Sequence, residues 1–178
     1  MSYLELEKEF DHAVVFIATK ASEAKSLPVA SILHSIRVGL YLQRQGASKE
    51  VVLAGLLHDV VEDTNATIED VAAQFSEDVA RLVQAMTVNI NLDSAEGSRD
   101  SVDRCSQLGR DALFIKAADI ADNLHFYLPD ANPQRLDQLA ESLSYFLDVS
   151  AKVPEETDVW REIRRQRETV LEMIGRMN

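Results

Sequence analysis

The sequence predicts an all-α protein folded as one domain. Apolar side chains recur at the three-to-four residue spacing of amphipathic helices along nearly the whole chain of 178 residues. Gly, Pro, Asn and Asp fall between these segments, where turns are expected. The length and a hydrophobic content of 46% suit one compact core. We therefore expect a single domain over residues 1–178.

The first three helices are predicted from their spacing and their end signals. A first helix covers residues 3–24, and Pro28 follows as a break. A second covers residues 29–45 and stops at Gly46, because glycine readily adopts the left-handed conformation that ends many helices. Ser48 has the hydroxyl that caps the start of a third helix.

The later elements follow from capping residues and one polar stretch. Thr67 and Asp70 make a capping-box pattern, and Ser76 is a typical N-cap. Residues 87–101 crowd Asn, Asp, Ser and Gly together, so we expect the longest loop there, a candidate for a mobile lid or a disordered segment. Four further helices are predicted over residues 102–107, 111–126, 133–149 and 154–177.

The charge and the single cysteine exclude several classes of function. Eighteen Lys and Arg oppose 30 Asp and Glu, which gives a formal net charge of −12 and disfavours nucleic acid and anionic membranes as partners. The arginines of the last helix alternate with acids, which is typical of an amphipathic surface helix. Cys105 cannot form an internal disulfide, and acidic residues near the N-terminus replace the apolar core of a signal peptide. We expect a soluble, cytoplasmic protein.

The third predicted helix carries a cluster of polar side chains that could support catalysis. One polar arc of that helix, at about 100° per residue, holds His58, Asp59, Glu62 and Asp63. The arc forms only if the helix continues through Asp63; otherwise the two acids lie on the following turn. A His-Asp pair is often only a salt-bridged helix end. At the border of a core, however, such a pair needs hydrogen-bond partners or a metal.

Two other polar residues interrupt apolar runs. His34 lies within residues 29–38 and Asp119 within residues 114–124. Taken alone, such residues are more often a hydrogen-bonded boundary histidine and an ordinary acceptor. Together with the His58-Asp59 pair they supply two imidazoles and two carboxylates. That set suits a divalent ion such as Mn²⁺, Fe²⁺ or Zn²⁺.

Several side chains near these four are candidates for contacts with a substrate. Lys116 and Asn123 lie one turn before and one turn after Asp119, so all three can line one pocket. Arg37 lies one turn beyond the first histidine, and Arg104 precedes the helix of Asp119. Each of these arginines has an alternative interpretation as an ordinary surface or ion-pair residue.

These residues match a known family. The chain resembles the HD-domain metal-dependent phosphohydrolases, and within them the hydrolase module of RelA/SpoT proteins and the single-domain small alarmone hydrolases related to metazoan SpoT homologues. The similarity runs over roughly residues 5–150 and is strongest over residues 54–64, Ala-Gly-Leu-Leu-His-Asp-Val-Val-Glu-Asp-Thr. It implies an HD-type helical bundle and one metal ion, usually Mn²⁺, with these ligands: His34, His58, Asp59 and Asp119. It also implies that Glu62 and Asp63 are a catalytic acid/base pair and that Asn123 is a site residue.

The resemblance implies hydrolysis of a nucleotide, first of all guanosine 3′,5′-bis(diphosphate) 3′-pyrophosphohydrolase activity. The chain departs from the family at His34-Ser35, where His-Pro is usual, and it retains only Lys25-Ser26 of a basic segment that contacts the nucleotide. With Lys25 from this segment and the basic residues near the ligands, the predicted substrate contacts are Lys25, Arg37, Arg104 and Lys116. A nucleoside 5′-monophosphatase and a nucleotide-sensing module without turnover stay open as alternatives, as does assembly into a homo-oligomer.

Overall fold

Helices make up all the regular structure in the described part of the chain. The computed structural model describes residues 3–23, 29–89, 91–129, 132–152 and 158–177, and no strand occurs among them. The prediction of an all-α fold is confirmed. Contacts divide the chain into two compact units, Met1–Thr87 and Val88–Asn178. The single domain over residues 1–178 stays a prediction.

Six helices lie in the described residues of the first unit. They are α1 (Tyr3–Glu23), α2 (Val29–Arg44), α3 (Lys49–Leu57), α4 (Val60–Asp63), α5 (Ile68–Gln74) and α6 (Glu77–Met86). The centre of this unit is α3, which packs against α1, α2 and α6. Every residue of α3 from Val51 to Leu57 is buried. Full burial of a leucine contributes roughly 1.5–3 kcal/mol to the stability of the fold. Helix α3 is therefore held firmly in the core at the point where His58 follows it.

The predicted helix ends in this unit are largely confirmed. Ser48, Thr67 and Ser76 each cap the start of a helix, and Thr67 forms a complete capping box with Asp70. Gly46 has φ +73°. Its N–H donates to the Gln43 carbonyl at 3.0 Å, and the next N–H donates to the Leu42 carbonyl at 3.1 Å, which is the Schellman pattern.

In the second unit, the residues that the structure describes form four helices. They are α7 (Ser94–Leu108), α8 (Arg110–Tyr127), α9 (Pro133–Ser150) and α10 (Asp158–Met177). In this unit α8 packs against α7 and α10, and α9 packs against the same two helices. Trp160 lies between two phenylalanines, with ring centroids 6.1 Å from Phe114 and 6.0 Å from Phe146. All residues from Ala112 to Asp119 are buried, so α8 forms the core of the second unit.

The loop predicted over residues 87–101 is wrong in its second half. Helix α7 begins at Ser94, and Asp93 caps it by accepting from the backbone N–H groups of Ala95 and Glu96, both at 2.9 Å. The sequence suggested a loop because Ser, Asn and Asp, which favour turns, also favour helix starts. Gly97 is buried, and a Cβ there would lie 2.8 Å from Val88 Cγ1. This close approach explains a glycine inside the helix.

None of the helices in the described residues has the length and apolar character that crossing a bilayer requires.

Candidate metal centre

Two glycines allow α2 and α3 to pack closely, and this brings two histidines together. A Cβ on Gly39 would lie 2.5 Å from Leu56 Cγ, and one on Gly55 would lie 2.3 Å from Leu42 Cδ1. Both distances are below 3.0 Å, so a larger residue at either position would force Leu56 or Leu42 to shift. His34 projects from α2 and His58 follows the last residue of α3. The close packing of the two helices therefore sets the separation of the imidazoles.

His34, His58 and Asp59 form a compact group of metal-ligand atoms. Among the described residues, one nitrogen from each imidazole and one oxygen from the carboxylate all lie within 4.8 Å of one another. The two Nε2 atoms are 3.2 Å apart. Nε2 of His58 lies 3.1 Å from Asp59 Oδ1, and Nε2 of His34 lies 3.7 Å from Asp59 Oδ2. Both histidines are buried, at 6% and 1% exposure.

The tautomer of His58 is determined by the end of α3. Its Nδ1 lies 2.8 Å from the backbone carbonyl of Gly55. A carbonyl only accepts, so Nδ1 carries the proton and donates, and Nε2 of the neutral ring presents a lone pair. The Gly55 carbonyl is among the last four of α3, which have no partner within a helix. Metal-binding histidines are commonly oriented by such a bond. Sequence analysis missed this carbonyl, although a residue three positions before a histidine at a helix end is the signal for it.

The two imidazoles and the carboxylate have the chemistry of a divalent metal site. Imidazole nitrogen and carboxylate oxygen are the ligands that Mn²⁺, Fe²⁺ and Zn²⁺ share. Burial of both rings excludes water from most of the site, and the oriented Nε2 of His58 is ready to coordinate. The side chains present therefore fit a bound cation.

Of the two alternatives for the segment after His58, the structure has the one in which the helix does not continue through Asp63. Helix α3 ends at Leu57, Asp59 adopts φ −95° and ψ −6°, and the short helix α4 then begins at Val60. The apolar spacing continues across the break, so periodicity alone could not reveal it. The backbone N–H groups of Glu62 and Asp63 donate to the Asp59 carbonyl at 3.1 and 2.9 Å. These bonds place the two acids one turn beyond the metal-ligand group. Glu62 is exposed and Asp63 is half-buried.

In the second unit, α8 places three predicted site residues in contact. Lys116 Nζ donates to Asp119 Oδ2 at 3.0 Å, and Asn123 Nδ2 donates to Asp119 Oδ1 at 2.6 Å. Lys116 and Asp119 are both buried, while Asn123 is half-buried. The three residues are spaced by three and four positions, which places them on one face of the helix.

The buried thiol of Cys105 on α7 borders this group. Burial raises the pKa of the thiol to about 11, while the Lys116 ammonium opposes that rise. A thiol with such a pKa stays protonated at neutral pH. The side chain of Cys105 is fully buried.

A sequence comparison identifies the family. The sequence model of the HD domain family matches residues 13–144, which is most of the chain. The chain belongs to the HD domain family. The resemblance predicted from the His58-Asp59 motif is thereby confirmed, and a bound divalent metal is what HD domains imply for the group His34, His58 and Asp59.

Two pyrophosphohydrolases are similar in sequence to this HD domain chain. The chain is 39% identical over 95 residues to the guanosine-3′,5′-bis(diphosphate) 3′-pyrophosphohydrolase MESH1 of Danio rerio, covering 52% of this chain and 53% of that protein. It is 31% identical over 127 residues to the guanosine-3′,5′-bis(diphosphate) 3′-pyrophosphohydrolase of Aquifex aeolicus, covering 68% of this chain and 18% of that protein. The matched region thus spans about half the length of the MESH1 relatives.

Solved structures resemble the HD domain chain over more of its length. A metazoan orthologue of SpoT, described as hydrolysing ppGpp, matches with a TM-score of 0.76 at 25% identity, covering 90% of this chain and 94% of that one. The protein lmo0812 of Listeria monocytogenes matches with a TM-score of 0.69 at 28% identity, covering 77% of this chain and 94% of that one. The HD-type helical fold is therefore shared with both.

The predicted substrate-binding residues of the HD domain are found in different surroundings. Lys25 lies outside the described residues. Arg37 is half-buried on α2, one turn after His34. Arg104 Nε donates to Asp100 Oδ2 at 2.9 Å within α7, so the ion-pair interpretation describes at least part of its role.

Proposed function

We propose that this chain is a metal-dependent hydrolase that removes the 3′-pyrophosphate of guanosine 3′,5′-bis(diphosphate). The observation that carries the proposal is the group of His34, His58 and Asp59 within 4.8 Å in an HD domain. The relatives named above, at 39% and 31% identity, support the choice of substrate. The family resemblance supports Mn²⁺ as the cation and the cytoplasm as the location.

We propose His34, His58, Asp59 and Asp119 as the residues that hold the metal. Asp119 is included because it follows the His-Asp pair along the chain as the last ligand does in the family. When bound, a divalent cation lowers the pKa of water and screens phosphoryl oxygens. The chain contributes two imidazoles that are already oriented and largely shielded from solvent, which reduces the cost of ordering the site on binding.

We propose that Glu62 and Asp63 move the protons. Water attacks the phosphorus attached to the ribose 3′ oxygen, the bond between that phosphorus and the 3′ oxygen breaks, and pyrophosphate and GDP result. One proton leaves the attacking water, and the 3′ oxygen gains one. The two acids suit these roles because their backbone N–H groups are bonded to the Asp59 carbonyl, which holds them one turn from a metal ligand. Proton transfer by a positioned carboxyl group typically contributes ~10²–10⁴ in rate.

We propose that the remaining contacts orient the substrate. Asn123 would hold the attacking water or a phosphate oxygen through its amide. Arg37, half-buried beside His34, is the candidate contact for phosphate in the first unit, and Arg104 is the candidate in the second. Lys25 completes the proposed set. These three basic side chains supply local positive charge in a chain whose net charge is −12.

A substrate panel tests the function. The purified chain is stripped of metal and assayed with Mn²⁺ on guanosine 3′,5′-bis(diphosphate), GMP and AMP, with products separated by anion exchange. We expect Mn²⁺-dependent release of pyrophosphate and GDP from the first substrate and little turnover of the others. Phosphate release from GMP or AMP alone would instead identify a 5′-monophosphatase. Tight nucleotide binding without turnover would identify a sensing module.

A further inference from the structure

The ammonium of Lys116 forms an ion pair with Asp119. The two groups are 3.0 Å apart, and their side chains are only 11% and 9% exposed. An isolated buried charge costs several kcal/mol, whereas a buried pair compensates both partners. Each partner therefore restrains the other to this contact. An ammonium that left Asp119 to reach a phosphate would break the pair.

Both oxygens of Asp119 are restrained from the same helix. Lys116 donates to Oδ2 from one turn before, and Asn123 donates to Oδ1 at 2.6 Å from one turn after. Two donors from opposite directions limit rotation of the carboxylate about its side-chain torsions. An ionised carboxylate has about four acceptor positions. A carboxylate oxygen that accepts one hydrogen bond can therefore also bind a cation.

We propose that Lys116 is a positioning residue for Asp119 and not a phosphate contact. It holds the carboxylate in one orientation, so that a divalent cation meets an ordered ligand. This inference rests on the proposed function, because it takes Asp119 as a metal ligand. Removal of a partner that orients a metal ligand typically weakens metal binding ~10–100-fold.

The test is Mn²⁺ binding, measured by calorimetry and by the electron paramagnetic resonance signal of free Mn²⁺, on the full chain. Lys116→Met keeps the apolar stem and removes the ammonium. We expect Mn²⁺ to bind ~10–100-fold more weakly to it. The matched control is Lys152→Met, because Lys152 is an exposed lysine in the same unit. This variant should bind Mn²⁺ as the wild type does. Unchanged or tighter binding by Lys116→Met overturns the proposal.

Further variants separate this role from stability and from phosphate contact. Lys116→Arg keeps charge and donors and should restore most of the affinity. If Lys116→Met fails to fold, Lys116→Gln replaces it, and the same weakening is expected because its neutral amide loses the charge-assisted bond. A variant that raises KM for the nucleotide while Mn²⁺ binding stays at the wild-type level would mean that Lys116 contacts phosphate, which also overturns the proposal.

Asp119→Asn distinguishes the failure of this inference from the failure of the proposed site. If Asp119→Asn binds Mn²⁺ as tightly as the wild type, Asp119 is not a ligand, and both the proposed ligand set and the role of Lys116 are wrong. If Asp119→Asn binds weakly and Lys116→Met binds normally, only the positioning role is wrong.

Discussion

The Nε2 atoms of His34 and His58 face each other at 3.2 Å. Nδ1 of His58 donates to the Gly55 carbonyl, so Nε2 of the neutral ring carries a lone pair. Asp59 Oδ1 lies 3.1 Å from the same Nε2 atom. That lone pair is the one that His58 would offer to a metal ion.

Metal binding should stabilise the fold through these two rings. With Mn²⁺ at 100 times its Kd, the free energy of unfolding should rise by about 2.7 kcal/mol. His58→Ala should abolish this rise and the retention of metal after gel filtration. The measurements are thermal unfolding with and without EDTA, and metal analysis. His125→Ala, an exposed histidine of α8, is the control and should behave as the wild type. Wild-type metal content in His58→Ala would contradict the ligand assignment.

Gly39→Ala should destabilise the first unit because α2 and α3 are in close contact there. The new Cβ would lie 2.5 Å from Cγ and 2.7 Å from Cδ2 of Leu56, a side chain with no exposed surface. Overpacking costs about 1–3 kcal/mol, and better helix propensity returns roughly 1 kcal/mol. We expect a net loss of up to about 2 kcal/mol in urea unfolding, together with weaker Mn²⁺ binding.

The control for Gly39→Ala is Gly175→Ala. Gly175 is also helical, but nothing lies within 4 Å of a Cβ placed on it. This variant should gain about 0.5–1 kcal/mol from helix propensity alone. Equal effects at the two positions would mean that the close packing of α2 and α3 does not limit stability.

Most helices were predictable because apolar periodicity and capping chemistry are local. Ser48, Thr67 and Ser76 cap helices as their hydroxyls suggested. The start of α7 was not predictable, because Asp and Ser favour both turns and helix starts. The close approach of Gly97 to Val88 is a packing contact, and the spacing of apolar residues does not reveal such a contact.

The site was predictable in its residue types and not in its geometry. The sequence indicated His34 and His58 as candidates because each is a polar side chain bordering apolar runs. The break at Asp59 could not be predicted, since apolar spacing continues from Leu57 to Val60. The Gly55 carbonyl that orients His58 is a backbone atom, and its availability depends on where α3 ends.

The acids of α4 should affect turnover without affecting metal binding. Glu62→Gln and Asp63→Asn keep the shape of each side chain and remove its ability to exchange a proton. We expect kcat for hydrolysis of guanosine 3′,5′-bis(diphosphate) to fall by ~10²–10⁴ in at least one of them, with Mn²⁺ affinity within a few-fold of the wild type. Glu77→Gln, an exposed acid at the start of α6, is the control. Full activity in both variants would remove them from the mechanism.

Asp70 should make the stability of the first unit depend on pH. Its Oδ2 accepts from Lys20 Nζ at 2.9 Å and from the Thr67 backbone N–H at 3.1 Å, and these bonds lower the pKa of the carboxyl group. A pKa that is lower in the folded state means that the unfolded chain binds the proton more tightly. The stabilisation is therefore complete above the ordinary pKa of an aspartate, about 3.9. It is lost as the pH falls through the lower pKa of the folded state.

Asp70→Asn tests this dependence. Urea unfolding of the variant and the wild type should differ most at neutral pH, and the difference should shrink as the pH falls below about 4. Glu69→Gln, the exposed acid that precedes Asp70 in α5, should give a difference that is small at every pH. A gap between Asp70→Asn and the wild type that stays constant down to pH values near 2 would mean that the contact acts through the shape of the capping box. In that case the charge of Asp70 would contribute nothing to the stability of the unit.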